Sequence, residues 1–298
     1  MEKVNIFDQV SSNKRKSILL GVFVFLILFV LVYVISVLFV PEISTFIVIF
    51  AVVLILVHTY VSYRYGDQIV LKATKARPVE DERKYSHLVN TVEGLSIAAG
   101  IPKPKIYVME SDEINAYATG RNPKHSSICV TTGALEKLDR DELEGVIGHE
   151  MSHIGNYDIR FAMLVAVLVG LVAIISNITL RSWMWSGRSN RNEKNGGGYL
   201  ILIGILLAVI SPIIVRLVQL AISRKREYLA DATGAKLTRY PDGLADALEK
   251  IEKYNEGKMK VSEAVSHLFI SDPNKSGLDE LFATHPPIEK RIEILRAM

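Results

Sequence analysis

Cysteine is almost absent from this chain, because Cys129 is the single one in 298 residues. One cysteine cannot form a disulfide within the chain, and it excludes a zinc site built from CxxC pairs. Net charge is small as well: a value of +3 is too low to indicate nucleic-acid binding, so we expect no nucleic acid partner. Apolar residues are abundant instead, at 49% of the chain with a mean hydropathy of +0.25.

The apolar residues form four long blocks. A helix needs about 20 residues to cross the hydrocarbon core of a bilayer. The first two blocks reach this length easily, the third just reaches it, and the fourth is interrupted by Arg216. We therefore predict about four membrane spans, with a shallow or partly buried hairpin as the alternative for the second pair. The first block is too long for a cleavable signal peptide, and no small-residue cleavage site follows it. The blocks are Ser17–Phe39, Ile43–Tyr63, Phe161–Leu180 and Tyr199–Val215.

Cations flank the first pair of blocks on both outer sides, whereas the connection between them carries none. By the positive-inside rule, both ends of this hairpin and everything from Arg64 to Arg160 lie in the cytoplasm. One observation disagrees, because the loop after the third block is basic and would be exported if that block spans the membrane. We expect a multi-pass protein of the cytoplasmic (inner) membrane, in contact with the lipid bilayer. The flanking cations are Lys14, Arg15, Lys16, Arg64, Lys72, Lys75 and Arg77.

The region between the two pairs of blocks has the pattern of a soluble domain. Charged and apolar residues alternate at helical spacing from Val79 to Ala99, and Gly100 is a typical helix stop. Three short runs rich in β-forming residues follow, at residues 105–109, 114–119 and 127–132. These elements predict an α+β fold with a small sheet beside helices.

A further helix is predicted over residues 139–154, which read DRDELEGVIGHEMSHI. Asp139 suits the N-cap position, and Glu142, three residues later, completes a capping box. Five charged residues lie near its start, and each would cost about 2.5 kcal/mol or more at the centre of a bilayer. We therefore place this helix beside the membrane rather than within it. The charges are Asp139, Arg140, Asp141, Glu142 and Glu144.

Two histidines and a glutamate on this helix have the spacing of a metal-dependent hydrolase. His149 and His153 are four residues apart and project from one face, so both imidazoles can bind one metal ion. Glu150 is turned by about 100° and can take a proton from an attacking water. A catalytic zinc site usually has a third protein ligand, which Glu227 could supply. Asp231, four residues later, could orient an imidazole. The alternative for this acidic pair is a solvated face balanced by Arg224, Lys225 and Arg226.

Three motifs carry a family resemblance: HEMSHIGNYD with an apolar segment after it, then REYLADATGA, then THPPIEKRI. In this order they resemble the membrane zinc metalloproteases of the HtpX type, heat-shock-associated bacterial proteases related to the CAAX prenyl endopeptidases. The resemblance covers nearly the whole chain. It implies a gluzincin-like metallopeptidase domain and one zinc ion per chain, held by His149, His153 and Glu227, with Glu150 as the base. It also implies polypeptide substrates, membrane proteins among them, and a role in membrane protein quality control and the stress response.

The resemblance suggests further site residues. Asn115 and Ala116 match the family's edge strand, to which a substrate backbone can add as an extra strand. His285 and Arg291 are candidates for stabilising the oxyanion of the tetrahedral intermediate. Taken alone, Asn115 and Ala116 also suit a plain strand-to-turn segment. His285 also suits a neighbour of a helix cap, and Arg291 a surface cation. The remaining histidines show no ligand spacing, so we assign them no role: His58, His87, His125 and His267.

This interpretation divides the chain into four parts. We predict an N-terminal transmembrane hairpin at residues 1–66 and a cytoplasmic metallopeptidase part with the HExxH helix at 67–158. A second hairpin at 159–222 and the rest of the catalytic domain at 223–298 follow. The metal ligands then lie on either side of a membrane hairpin.

A non-catalytic membrane adaptor or chaperone that kept the fold is one alternative function, although it would have no need of a matched base and ligands. An intramembrane protease is another, and the charges near the motif argue against it.

Overall fold

Two long helices begin the chain in the computed structural model, which describes residues 6–39, 44–170, 224–259, 261–274 and 286–298. Helix α1 is Ile6–Phe39 and helix α2 is Ser44–Ala73. Within the described residues, one helical stretch, Val48–Ala73, is long and apolar enough to cross a membrane. The third apolar block begins in a helix at residues 158–170, and the rest of it lies outside the described residues, as does the whole fourth block. Four spans therefore stay a prediction.

The strands form one four-stranded sheet in the order β1-β2-β4-β3. Strands β2 and β4 are parallel, whereas β1 pairs with β2 and β3 pairs with β4 in antiparallel fashion. The predicted strand at 105–109 is confirmed, but the next begins at residue 116 instead of 114. The reason is that both backbone polar groups of Ile114 bond to the side chain of Asn255. The strands are β1 Arg77–Pro78, β2 Lys105–Met109, β3 Ala116–Asn122 and β4 His125–Thr131.

Helix α3, Ser86–Ala99, is shorter than predicted at its start. The N–H of Val79 donates to the carbonyl of Ile106 at 3.0 Å, which extends the β1–β2 pairing past the strand end. The carboxylate of Asp81 then accepts two backbone N–H groups of the following turn. The segment before α3 is therefore extended and turned rather than helical. The predicted stop is confirmed, since Gly100 has a left-handed backbone with φ of 64°.

A short helix α4, Thr132–Lys137, leads into α5, Arg140–Gly155, which carries the HExxH motif. The predicted capping box is present: Asp139 accepts from the Glu142 N–H at 3.0 Å, and Glu142 accepts from the Asp139 N–H at 2.7 Å. Two residues form a turn after α5. Helix α6, residues 158–170, then starts and runs to the last described residue before the gap.

Four helices complete the described chain, and α5 lies at the centre of the domain. It packs against β3 and α3 as well as against α7 and α8. At the α5–α8 contact, a Cβ added to Gly145 would lie 2.5 Å from the backbone N of Leu244, so the two backbones approach closely. The predicted α+β class is confirmed, with mixed helix and sheet around one central helix. The remaining helices are α7 Arg224–Thr238, α8 Pro241–Tyr254, α9 Glu263–Ser266 and α10 Ile288–Arg296.

Candidate active site

Three side chains from α5 and α7 converge on one point. Nε2 of His149 and Nε2 of His153 are 3.2 Å apart. The carboxylate oxygens of Glu227 lie 3.7 Å from His149 Nε2 and 3.6 Å from His153 Nε2. A tetrahedral zinc ion with ligand bonds of about 2.0–2.1 Å separates its ligand atoms by about 3.3 Å. The three residues thus fit a metal ion of this kind in chemistry and in spacing.

A close contact between α5 and α7 brings the third side chain to the two histidines. A Cβ added to Gly234 would lie 2.8 Å from the backbone N of His149, so the helices approach closely at this point. Glu227 precedes Gly234 by about two helical turns and faces the same side as Asp231. Replacing Gly234 by any residue with a side chain would push the helices apart and separate the ligand atoms.

His149 has a buried partner on the side away from the convergence point. Its Nδ1 lies 2.9 Å from the Asp231 carboxylate, as the predicted orienting role requires. Arg291 in turn donates two hydrogen bonds to Asp231, at 2.9 and 2.7 Å, and a third to the carbonyl of Ile270. Arg291 is 0% exposed and is not a surface cation. Its guanidinium lies behind His149, so contact with a substrate oxyanion stays a prediction, and His285 lies outside the described residues.

His153 also has a buried carboxylate partner, which the sequence interpretation missed. Its Nδ1 lies 3.1 Å from Asp158, the first residue of α6. Asp158 also lies 3.7 Å from Nε of Arg226 on α7. The two histidines are therefore each held by one carboxylate that is itself paired with a cation. One feature of the sequence could have indicated this partner: Asp158 ends the stretch GHEMSHIGNYD, five residues after His153 and shortly before an apolar block.

Burial and neighbouring charges shift the pKa values of the site in different directions. Burial raises the pKa of Glu150 to about 7, and the Glu227 charge adds to this effect. Burial lowers the pKa of His149 despite its bond to Asp231. For His153, burial also acts to lower the pKa, but the bond to Asp158 and the nearby carboxylates outweigh it and raise the pKa to about 9. Glu150 is thus a carboxylate that can take up a proton near neutral pH.

Asp231 remains a carboxylate at all ordinary pH values. Burial acts to raise its pKa, but the charge and hydrogen bonds of Arg291 and the bond with His149 outweigh burial and lower the pKa to about 2. Asp231 can therefore accept the Nδ1–H of His149 throughout the working range. A neutral His149 that donates from Nδ1 leaves its Nε2 lone pair directed at the metal position.

The site opens onto a small cavity with a water-accessible volume of about 40 Å³. This space holds a few water molecules. The walls come from β3 at Ala118, from α6 at Ile159 and Ala162, and from the segment 267–270. His267 therefore belongs to the site, with its Nε2 3.1 Å from the carbonyl of Ala162. Sequence spacing gave no signal for it, because its neighbours in space are about 100 residues away in the chain.

Asn115 and Ala116 lie at the edge of the sheet, as predicted, but this part of the edge is covered by the chain itself. The carbonyl of Ala116 accepts the N–H of Ile270 at 3.0 Å, and the Asn115 side chain bonds to the backbone of Ser271 at 2.9 Å. Tyr117 and Phe269 form a β-bridge beside them. A substrate strand can pair with Asn115 and Ala116 only if segment 269–271 moves away, so their binding role stays a prediction.

The chain is similar over its full length to curated proteins named protease HtpX homolog. The one from Caldanaerobacter subterraneus subsp. tengcongensis is 45% identical over 301 residues, covering 100% of this chain and 99% of that protein. The Dictyoglomus thermophilum protein is 42% identical, with 100% and 96% covered, and the Streptococcus gordonii protein is 39% identical, with 98% and 100% covered. Together with the three converging side chains, which could hold a metal ion, these names define the class of the protein as a metalloprotease.

The particular family follows from a second comparison. The family model described as peptidase family M48 matches residues 82–298, and the chain belongs to this family. The crystal structure of S. mikatae Ste24p shares the fold, with a TM-score of 0.51 at 20% sequence identity. That alignment covers 97% of this chain and 66% of the longer Ste24p chain.

Proposed function

We propose that this protein is an integral membrane zinc endopeptidase whose catalytic residues are the buried group on α5 and α7. The observation that carries the proposal is the convergence of His149, His153 and Glu227 within 4.8 Å of one another. Two imidazoles and one carboxylate are a ligand set of catalytic zinc sites. Membership of a peptidase family supports the endopeptidase activity. The apolar helix Val48–Ala73 supports the membrane location.

His149, His153 and Glu227 would hold the metal, while Asp231 and Asp158 hold the two imidazoles in position. When bound, zinc polarises the scissile carbonyl and lowers the pKa of the attacking water. Both carboxylates accept from Nδ1, which directs each Nε2 towards the metal position. Because Arg291 is bonded to Asp231 and lies behind His149, we assign it a positioning role rather than contact with the substrate.

Glu150 is the proposed general base. Its carboxylate lines the metal cavity opposite Ala118 of β3. With a pKa of about 7, it can remove a proton from the attacking water and later pass it to the leaving amine.

We propose that the substrates are polypeptides, misfolded membrane proteins among them, and that the role is membrane protein quality control under stress. The cations just before the apolar part of α1 and just after the apolar part of α2 support a cytoplasmic position of the catalytic domain. In the part of the chain that the structure describes, α6 begins directly after the turn that follows α5. The proposed site thus lies at the entrance of the third apolar block, near the bilayer surface.

The test is a comparison of zinc content and peptide cleavage in the purified full chain. We expect about one zinc per chain and casein cleavage that a chelator abolishes. Glu150→Gln should retain zinc and lower cleavage by about 10² or more, because it keeps the shape of the side chain and removes the proton acceptor. Glu227→Gln, the matched change at the proposed ligand, should lower zinc occupancy instead. Zinc binding without any cleavage in the wild type would favour the non-catalytic adaptor.

A further inference from the structure

A residue at the start of the chain reaches the candidate active site. Asn13 lies on α1 before the apolar part of that helix, and it is 1% exposed. Its Nδ2 group donates to the carbonyl of Asn156 at 2.9 Å and to the Asp158 carboxylate at 2.7 Å. These bonds join residues separated by more than 140 positions in the sequence.

The two acceptors flank a strained turn. Tyr157, between them, has a φ of 62°, a left-handed backbone that costs about 1 kcal/mol in a residue other than glycine. The turn joins α5 to α6, and Asp158 directly after it lies 3.1 Å from Nδ1 of His153. By bonding on both sides of Tyr157, one amide group of Asn13 stabilises the turn and the carboxylate that follows it.

Helix α1 is held against this turn by further contacts. Leu20 packs on Phe161 and Val165 of α6 in a small buried cluster. The ammonium group of Lys14 lies 4.2 Å from the ring centroid of Tyr157. The Asn13 side chain is therefore presented to Asp158 by a helix whose next two turns are packed against the Tyr157 turn and α6.

We infer that Asn13 is a positioning residue of the metal site, which acts through Asp158 on His153. One oxygen of Asp158 bonds to His153, and the other lies between Asn13 at 2.7 Å and Arg226 at 3.7 Å. Without Asn13, the carboxylate is free to turn towards the Arg226 guanidinium and to weaken its bond to His153. Asn13 thus donates a hydrogen bond that holds Asp158 beside His153, as Arg291 holds Asp231 beside His149. The inference rests on the proposed function, because it assumes that His153 is a metal ligand.

The consequence is that the first helix is part of the site as well as a candidate membrane anchor. The family match covers residues 82–298, so Asn13 lies far outside the matched segment. A protein reduced to that segment would contain every proposed ligand and still lack one group that holds a ligand in place. We expect the position of α1 against the turn to influence metal affinity.

The experiment measures the zinc dissociation constant of the purified full chain by competition with a fluorescent chelator. Removing a direct partner of a metal ligand typically costs 10–100-fold in affinity. Asn13 acts one hydrogen bond further out, through Asp158, so Asn13→Ala should raise the dissociation constant by the lower end of this range, about tenfold. The kcat at limiting zinc should fall and recover at saturating zinc, with KM unchanged. Ser17→Ala is the matched control, because Ser17 is buried one turn further along α1 and, among the described residues, its hydroxyl donates to the Asn13 carbonyl and not to Asp158. It should leave the constant unchanged.

A double-mutant cycle tests the route of the effect. If Asn13 acts through Asp158, adding Asn13→Ala to Asp158→Asn should change the zinc dissociation constant by less than about twofold. Full additivity, or a constant within about twofold of wild type in Asn13→Ala, would overturn the inference. Should Asn13→Ala fail to accumulate as folded protein, the equally sized Asn13→Asp, which repels Asp158, must show the same loss of affinity. A wild type that binds zinc but cleaves nothing would overturn the proposed function alone.

Discussion

The Nδ1 atom of His149 lies 2.9 Å from a carboxylate oxygen of Asp231, and each side chain is 1% exposed. This bond sets the tautomer of the imidazole, because an Nδ1–H donor leaves Nε2 as the ligand atom. The carboxylate also raises the basicity of the ring towards a metal ion. An equivalent bond joins His153 to Asp158 at 3.1 Å.

We expect Asp231→Asn to lower zinc affinity and peptide cleavage by about 10–100-fold, with cleavage partly restored by added zinc. The amide keeps the shape of the side chain but weakens the hydrogen bond and removes the charge beside Arg291. The measurement is chelator competition followed by turnover at graded zinc concentrations. Asp246→Asn is the control, since that carboxylate is exposed and pairs with Arg296 on the surface. Equal zinc affinity in wild type and Asp231→Asn would remove Asp231 from the site.

Arg291→Ala should destabilise the fold strongly. The substitution leaves Asp231 as a buried charge without its cation, and breaking such a pair costs about 3–5 kcal/mol. The free energy of unfolding of the metal-free protein, followed by denaturant titration, gives the effect directly. Arg296→Ala, on the same helix but in exposed ion pairs, should change stability little. If instead Arg291→Ala lowers kcat alone and leaves stability and zinc affinity intact, Arg291 contacts the substrate as first predicted.

The raised pKa of Glu150 predicts a pH-dependent stability difference in the metal-free protein. A folded-state pKa of about 7 against an ordinary value of 4.5 means that the folded chain keeps a proton that the unfolded chain has lost. The wild type should therefore lose stability between about pH 4.5 and pH 7 relative to Glu150→Gln. The difference should reach about 3 kcal/mol above pH 7 and vanish below pH 4.5. Denaturant titrations at several pH values would measure it, with Glu144→Gln on the same helix as the control. A pH-independent difference would contradict the shift.

Membrane topology is tested by reporter fusions. A reporter after Gly66 should give a cytoplasmic signal and one near Glu42 an external signal, because cations flank the first hairpin on both outer sides. The informative insertion is at Asn195, which lies outside the described residues. An external signal there requires four full spans. A cytoplasmic signal would instead establish that the third and fourth apolar blocks form a re-entrant or protein-buried hairpin.

Local features of the protein could be predicted from the sequence. Helix α5 follows from its capping box at Asp139, and the end of α3 follows from Gly100. The shared face of His149 and His153 follows from helical periodicity alone. Each of these depends on residues within about four positions of one another, where backbone geometry is nearly independent of the rest of the fold.

Only the tertiary structure decided which distant groups surround the two histidines. The sequence offered Glu227 as a possible ligand or as part of a solvated acidic face, and the packing of α7 against α5 buried it at the site. Packing also made Arg291 a buried partner of Asp231 rather than a surface cation, and it brought to the site two residues that the sequence had not indicated, His267 and Asn13. The physical reason is that contacts between residues 60 to 145 positions apart in the chain depend on how whole helices pack against one another. The spacing of residues along the sequence does not determine that packing.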